Sequence, residues 1–459
     1  MNLYKLLAAR AEEGRPVRVG LIGAGKFGSM FLAQARKTLG IHLLGIADLD
    51  VERARAACAR TGWTAEQIGA SSFPDALKSG GTFLTDNAED LIDANGLDVL
   101  IEATGDPVVG IDHCLKCIDR GRHLIMVNVE ADVVAGPLLA RRAEQAGLVY
   151  SLAYGDQPAL ICEQVDWARA AGFEVVSAGK GTRYHPEFHR STPETVWPNF
   201  GLSPEQAERG GMNPKMFNSF IDGTKSGIEM SAVCNATGLT PQPEGLNFPP
   251  VSVHDLAEVC KPVSAGGRVS HKGTTEVVSS LQRDWTPVEN HLQMGTFVVI
   301  EADSEYVQNC FEEYHMLPDS TRKYGSLYRP IHMIGLELGI SVASVALRGE
   351  ATGTATGFRS DVVATAKRPL KAGEILDGEG GYCVWGRQVP AQISLNIGGL
   401  PLGLSNKVKL TRDVSEGVQL RWDDVEVDES DQAILVRREM EAAFGRPNKF
   451  NLAAAHETS

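Results

Sequence analysis

Asp222, Lys225 and Glu229 stand at i, i+3 and i+7 within Phe217-Asn-Ser-Phe-Ile-Asp-Gly-Thr-Lys-Ser-Gly-Ile-Glu-Met230. On one continuous helix these spacings share a face. Two carboxylates flanking an ammonium can move protons at a carbonyl. Alternatively, Asp222 and Glu229 can hold a divalent cation through oxygen ligands. A solvated face with Lys225 and Glu229 paired at i,i+4 would produce the same pattern. The neighbours Phe217, Phe220, Gly223 and Gly227 favour a closely packed helix, and with it the chemical reading. Lys180, between Gly179 and Gly181 at the end of an expected strand, is the second candidate. An ammonium projecting from a flexible backbone suits an anion or a carbonyl oxygen, although an ordinary loop lysine reads the same way. Arg183 follows closely, and His271-Lys272 and Arg329-Pro-Ile-His332 add further cationic spots. In an acidic chain, such groups at element ends predict an anionic substrate carrying phosphate or carboxylate.

These residues need a scaffold, and the scaffold begins at Val17-Arg-Val-Gly-Leu-Ile-Gly-Ala-Gly-Lys-Phe-Gly28. A buried strand runs into a glycine turn that opens a helix. Gly23 allows the tight turn, Gly25 lets the backbone approach a pyrophosphate, and Gly28 lets the helix pack close to the strand. Lys26 and Phe27 fall at the helix start, where free N–H groups hold phosphates. A second apolar run, Ile41 to Ala47, ends in Asp48, twenty residues after Gly28, where an acid meets the adenosine ribose. Strand, glycines, helix, strand and terminal acid together make a dinucleotide site. Asp48 alone predicts NAD, since a carboxylate repels a 2′-phosphate. Arg53 and Arg55 lie just beyond it and could reach such a phosphate if Asp48 turns away. The next parallel-type strand ends at Thr104-Gly105, and the one after it at Asn128. Both ends belong to the carboxyl edge of the sheet, where the nicotinamide half sits.

The pattern divides the chain into three units. Strand–helix alternation over residues 1–155 predicts a doubly wound α/β domain. Residues 156–357 have mixed α+β texture and form the second wall of a cleft. Residues 358–445 are rich in Pro/Gly turns and β-branched residues, a small β domain closed by a charged helix. Within this last unit, Ala366-Lys-Arg-Pro-Leu-Lys-Ala-Gly-Glu-Ile-Leu376 aligns with Leu410-Thr-Arg-Asp-Val-Ser-Glu-Gly-Val-Gln-Leu420 at a constant offset of 44. Asn451 to Ser459 reads as a disordered end.

Composition narrows the function classes. A net charge of −14 disfavours nucleic acid and anionic membrane as partners. No run of about 18 apolar residues exists to span a bilayer, and Met1 to Gly14 lacks the apolar core of a signal peptide. Eight scattered cysteines, including Cys114-x-x-Cys117 without a second pair, predict reduced thiols and a cytoplasmic location.

At these residues the chain resembles a known family. The glycine-rich unit, the strand ending Glu102-Ala-Thr-Gly105, and the segment with Asp222 and Lys225 look like homoserine dehydrogenases, with a Rossmann domain and a catalytic helix. Where those enzymes carry Ala-Asn-Lys, this chain has Val127-Asn-Val-Glu130 and lacks the lysine. The C-terminal repeat looks like a SAF β domain, which homoserine dehydrogenases lack. The combination is similar to the DXR-like (DRL) family. That resemblance implies NADPH (with NADH possible), Mg or Mn, a homodimer, and a small phosphorylated sugar handled as by 1-deoxy-D-xylulose 5-phosphate reductoisomerase, in isoprenoid precursor synthesis. The alternative is an NAD(P)-dependent dehydrogenase of another hydroxy or carbonyl substrate.

Overall fold

The chain is described from a computed structural model covering residues 2–209 and 212–445. The expected disordered end, Asn451 to Ser459, lies outside the described residues.

The first sheet holds β1 (Val17–Ile22), β2 (Ile41–Ala47), β3 (Phe83–Thr85), β4 (Val99–Glu102), β5 (His123–Met126) and β6 (Tyr150–Leu152). All pairings are parallel, in the order 3-2-1-4-5-6. Helices cover both faces, so the strands read as nearly unbroken apolar runs. Strand order reverses between β1 and β4. Connections there leave in opposite directions and open a crevice at the carboxyl ends. After β2 comes a helix, Val51–Arg60, as its charged sequence predicts; the looser glycine-marked stretch that follows contains β3 and two short helices, Phe73–Ser79 and Ala88–Asp93. A three-residue strand is too short to show a period.

The second sheet holds β7 (Glu174–Thr182), β8 (Thr274–Ser279), β9 (Thr296–Glu301) and β10 (Tyr324–Arg329), in the order 10-9-7-8. Helices Gln157–Ala170 and Thr224–Thr237 pack on it through Ile161, Val165, Met230 and Val233 against Val175, Val277 and Val298. After β10 the chain returns to the first sheet. Helix Gly339–Arg348 buries Val342, Ala343 and Val345 in the cluster that contains Val17, Val19 and Ile125.

The C-terminal unit pairs β11 (Ser360–Ala366) with β13 (Val384–Pro390), and a central β14 (Asn406–Leu410) with β12 (Ile375–Asp377) on one side and β15 (Val425–Glu426) on the other. The repeat at offset 44 is a local pseudo-twofold. Leu370 and Val414, which are equivalent positions, exchange backbone hydrogen bonds of 2.8 and 3.0 Å. The bond from Gly373 N to Leu410 O is matched by Gly417 N to Ala366 O, both 2.8 Å. This unit is not tethered loosely. One continuous core joins its Val362, Val384 and Leu402 to Val133, Val134 and Leu138 of helix Val129–Gln145. Helix Gln432–Phe444 docks there too. Its fully buried Arg437 donates to both Asp361 oxygens, at 3.1 and 2.5 Å, and to Val134 O. The charged C-terminal helix therefore spends one of its charges inside. No described helix is long and apolar enough to cross a membrane. All eight cysteines are free, and burial pushes the Cys117 thiol up.

Candidate active site

The glycine turn is built around Asp48. Its Oδ2 accepts from Ala24 N at 2.8 Å, and its Oδ1 accepts from Asp50 N at 3.0 Å and from Arg53 at 2.5 Å. Gly28 lies so close to the loop that a Cβ there would stand 2.2 Å from Gly23 O. A Cβ on Gly25 would meet nothing within 4 Å. Gly25 caps helix Lys26–Ala35 without any side-chain hydrogen bond, so the first-turn N–H groups are left for an anion.

Two strand ends complete this wall. Glu102, fully buried, accepts from Thr104 N at 3.2 Å. Asn128 caps helix Val129–Gln145 by accepting from Ala131 N, and its Nδ2 donates to Asp106 O at 2.8 Å. Thr104, Gly105 and Asn128 are thereby fixed at the rim of a cavity of about 390 Å³, with Phe27 beside them. That volume suits a small ligand.

The opposite wall departs from expectation. The expected single helix over Phe217 to Cys234 is two helices, Pro214–Ile221 and Thr224–Thr237. They are broken at Gly223, whose φ of +92° suits only glycine. Asp222 therefore shares no face with Lys225. It accepts from Thr224 N at 2.9 Å, and Lys367 Nζ of the β domain lies 2.7 Å from its Oδ2, both side chains being buried. Lys225 and Glu229 remain on one face, but each pairs with another residue. Lys225 Nζ donates to Glu130 Oε1 at 2.5 Å at the cavity wall, while Glu229 binds Lys180.

Lys180 also differs from its expected setting. It lies inside β7, buried, and not on a flexible loop. The flanking glycines serve close packing. A Cβ on Gly179 would stand 1.7 Å from Glu276 O, and one on Gly181 would stand 1.9 Å from Leu292 O.

The metal expectation fails on the same geometry. Asp222 and Glu229 face different lysines, and among the described residues no three His, Cys, Asp or Glu side chains converge to hold a metal ion. Nor do the expected anion-binding residues gather at the cavity. Arg183 donates to Asn199 O at 2.8 Å. His271 bonds Thr240 at 2.6 Å, and Lys272 pairs with Glu174 and Glu301. Arg329 pairs with Glu337. None of these four lines the cavity.

Residues unmarked in sequence fill the site instead. Glu130 was visible only as the end of an unusual Asn-Val-Glu. Asp156, in Gly-Asp-Gln-Pro, is buried with one unpartnered oxygen. Burial first, then Glu229, pushes its carboxyl up to about 7, against the opposing pull of Lys225. Burial alone would lower the Lys225 ammonium. Glu130, then Glu229, Asp156 and Glu379, outweigh it and raise the pKa, so Lys225 stays charged. The arrangement is a charged Lys225 paired with Glu130 and within the field of Glu229, Asp156 and Glu379, facing the carboxyl edge of a dinucleotide-type sheet.

Residues 155–338 match the model of the oxidoreductase DRL catalytic domain. The likeness lies in this stretch of the chain. The stretch contains Asp156, Lys180, Lys225 and Glu229, and the cavity is closed by Glu130 before the DRL stretch and Glu379 after it. Among solved structures, the chain is similar to WlbA dehydrogenase from Bordetella pertussis, in complex with NADH and UDP-GlcNAcA. Identity is 17%, coverage is 40% of this chain and 50% of that one, and the TM-score is 0.28. It is also similar to myo-inositol dehydrogenase from Lactobacillus casei, in complex with NAD(H) and myo-inositol, at 17% identity, 38% and 50% coverage, and a TM-score of 0.26. The chain thus spans about half the length of these relatives. No curated protein matches it.

The Asp222–Lys367 pair gives the first expected result. Replacing Asp222 with Asn strands a buried ammonium, and removing one partner of such a pair costs about 3–5 kcal/mol. Asp222→Asn is therefore expected to lower the Tm markedly and to reduce kcat far less than a change at Lys225. Calorimetry beside steady-state kinetics checks this. A large kcat loss at unchanged Tm would return Asp222 to the chemistry.

Proposed function

We propose that this protein transfers hydride between a nicotinamide dinucleotide, NADPH by preference, and a carbonyl or carbinol carbon of a small polar substrate. The observation that carries the reading is Lys225, held charged by Glu130 at a cavity whose far rim is Thr104, Gly105 and Asn128. The open cradle at Gly25 and the uncapped N-terminus of helix Lys26–Ala35 fit a pyrophosphate. When bound, the nicotinamide supplies or accepts the hydride. Lys225 stabilises the charge that builds on the substrate oxygen, in a site where a fixed ammonium needs no reorganisation. The Lys180–Glu229 pair lies behind the cavity wall, and the Glu229 carboxylate adds to the field that keeps Lys225 charged.

Plain hydride transfer fits this geometry better than a metal-assisted rearrangement of a phosphorylated ketose. The residues present do not assemble a cation site, and the cavity's two lysines, Lys215 and Lys225, already have oxygen partners. The deciding assay follows cofactor absorbance with 1-deoxy-D-xylulose 5-phosphate and with homoserine and polyols, each after exhaustive chelation and again with Mg²⁺ or Mn²⁺. Turnover of a hydroxyl or carbonyl substrate that survives chelation is expected. Metal-dependent NADPH oxidation on the ketose phosphate would overturn the reading.

The preference for NADPH rests on Asp48. Its oxygens are engaged inward and its charge is met by Arg53, which is more than half exposed. A carboxylate so covered does not repel a 2′-phosphate, and the guanidinium is placed to bind one. Arg53→Ala is expected to cut kcat/KM for NADPH by about tenfold or more, the scale of one charge-assisted hydrogen bond. The value for NADH should hold. An equal loss for both cofactors would remove Arg53 from phosphate recognition.

A further inference from the structure

Lys225 leaves a chemical gap. An ammonium whose pKa is raised stabilises an oxyanion but gives up its proton poorly, so reduction of a carbonyl needs another acid. The cavity lining offers one from outside the matched catalytic stretch. Glu379 sits in Asp377-Gly-Glu-Gly-Gly381 of the C-terminal β domain, between two glycines of positive φ, +69° and +65°.

The loop holds this residue in place. Asp377 accepts from Tyr382 N and Cys383 N, at 2.6 and 3.1 Å. Lys215 donates to Asp377 O, Asn218 Nδ2 to Gly380 O at 2.9 Å, and Lys367 Nζ to Gly381 O at 2.8 Å. Gly380 packs so closely that a Cβ would stand 2.0 Å from Lys215 O. Five side-chain hydrogen bonds and one close backbone contact thus anchor a loop whose single long side chain lines the cavity beside Lys225 and Glu130. Among the described residues no ion pair holds Glu379, while Glu374, Asp413 and Glu426 of the same domain are all paired.

We propose that Glu379 is the proton donor and acceptor at the reacting oxygen, so that the β domain contributes a catalytic residue to the site. The inference rests on the hydride-transfer reading above. In the reducing direction, the carbonyl carbon takes hydride from a reduced nicotinamide. The C=O π pair moves to oxygen beside Lys225, and that oxygen takes the proton of the Glu379 carboxyl. The carbonyl is reduced, the nicotinamide is oxidised, and the carboxylate regains a proton from water. In the reverse direction the carboxylate accepts the carbinol proton.

The charges around Glu379 suit the role. It faces Glu130 on helix Val129–Gln145, Lys225 on helix Thr224–Thr237, Asp222 at the helix break, and Lys215 and Ser219 on helix Pro214–Ile221. Burial first, then Glu130, pushes its carboxyl up to about 8, against the pull of Lys225. The group therefore carries a proton at neutral pH and releases it above. Reduction should accordingly fall as pH rises through about 8, and oxidation should rise over the same interval.

The test compares full-length wild type, Glu379→Gln and Glu379→Asp. Infrared difference spectra between pH 6 and pH 10, without substrate, should show protonated-carboxyl bands, Asp156 and Asp132 contributing those that titrate near 7, and the component that titrates near 8 should vanish in Glu379→Gln. Its persistence there would overturn the assignment. Fluorescence titration should show NADPH affinity unchanged. With a substrate identified from the panel above, Glu379→Gln should lose kcat by ~10²-fold or more. It should also lose the alkaline limb of the reduction profile, with partial recovery in Glu379→Asp. Retained kcat and an unchanged limb would overturn the proposal. If Lys225→Met stays inactive while Glu379→Gln is fully active, only the Glu379 assignment fails. If both are fully active, the hydride-transfer reading fails with it.

Discussion

Lys225→Met is expected to lower kcat by ~10²-fold or more, the scale of losing one preorganised charge at a developing oxyanion. Dinucleotide affinity should stay near the wild-type value, because Lys225 projects from helix Thr224–Thr237 and takes no part in the glycine turn. The variant also has a distinctive stability signature. Without the ammonium, Glu130, Glu229, Asp156 and Glu379 face one another with less compensation. Asp156 and Glu379 already have pKa values raised above the carboxylate range. A group whose folded pKa is raised stabilises fully below its unfolded pKa, and that stability is lost as pH rises through the folded value. Removing Lys225 lifts those folded values further, so the variant should lose Tm more steeply than wild type from mildly acidic pH up past about 8. Lys225→Arg keeps the charge and should restore the stability profile, while kcat recovers only partly because a planar guanidinium cannot replace a point ammonium. Calorimetry across pH with single-turnover absorbance checks both halves. A Lys225→Met enzyme with full kcat would remove the lysine from the chemistry.

The parts that could be read from sequence are those governed by local rules. A buried strand, three glycines and a terminal acid sit within 32 residues, Val17 to Asp48, and the fold follows the pattern through β1 and β2. The offset of 44 was equally visible, but its meaning was not. Only the paired backbone bonds of Leu370 with Val414 show the copies facing each other across a pseudo-dyad. Asp222 was misplaced because a helical period was carried through Gly223, where the chain turns left-handed. Lys180 was misplaced because Gly-Lys-Gly signals flexibility and crowding alike, and only Glu276 O and Leu292 O show that crowding applies. Glu130 and Glu379 stand 249 residues apart in the chain, yet both line the cavity. No spacing rule joins a helix start to a glycine loop so far along the chain. The resemblance had singled out the missing lysine after Asn128. In the fold, that same segment supplies the carboxylate that holds Lys225.

Gly25→Val is expected to abolish measurable dinucleotide binding in a protein that still folds. The backbone at Gly25, φ −69° and ψ −153°, is extended and outside the left-handed region that demands glycine. The valine Cβ would point into empty space, with no protein atom within 4 Å, so packing is undisturbed. That space lies over the first-turn N–H groups of helix Lys26–Ala35, where a pyrophosphate must approach. Two branches of a valine cover those donors and exclude the phosphate. The loss should reach ~10²-fold or more, since each charge-assisted bond forfeited is worth about 1.5–3 kcal/mol. Gly28→Val makes the contrast. Its Cβ would collide with Gly23 O, so that variant should fail by unfolding. Circular dichroism, Tm and NADPH fluorescence titration on both proteins separate the two causes. A folded Gly25→Val that binds NADPH as wild type would show that the dinucleotide does not use this turn, and the cavity at Thr104 and Asn128 would then need another source of hydride. A Gly25→Val that unfolds like Gly28→Val would mean instead that the open space is filled in the native chain.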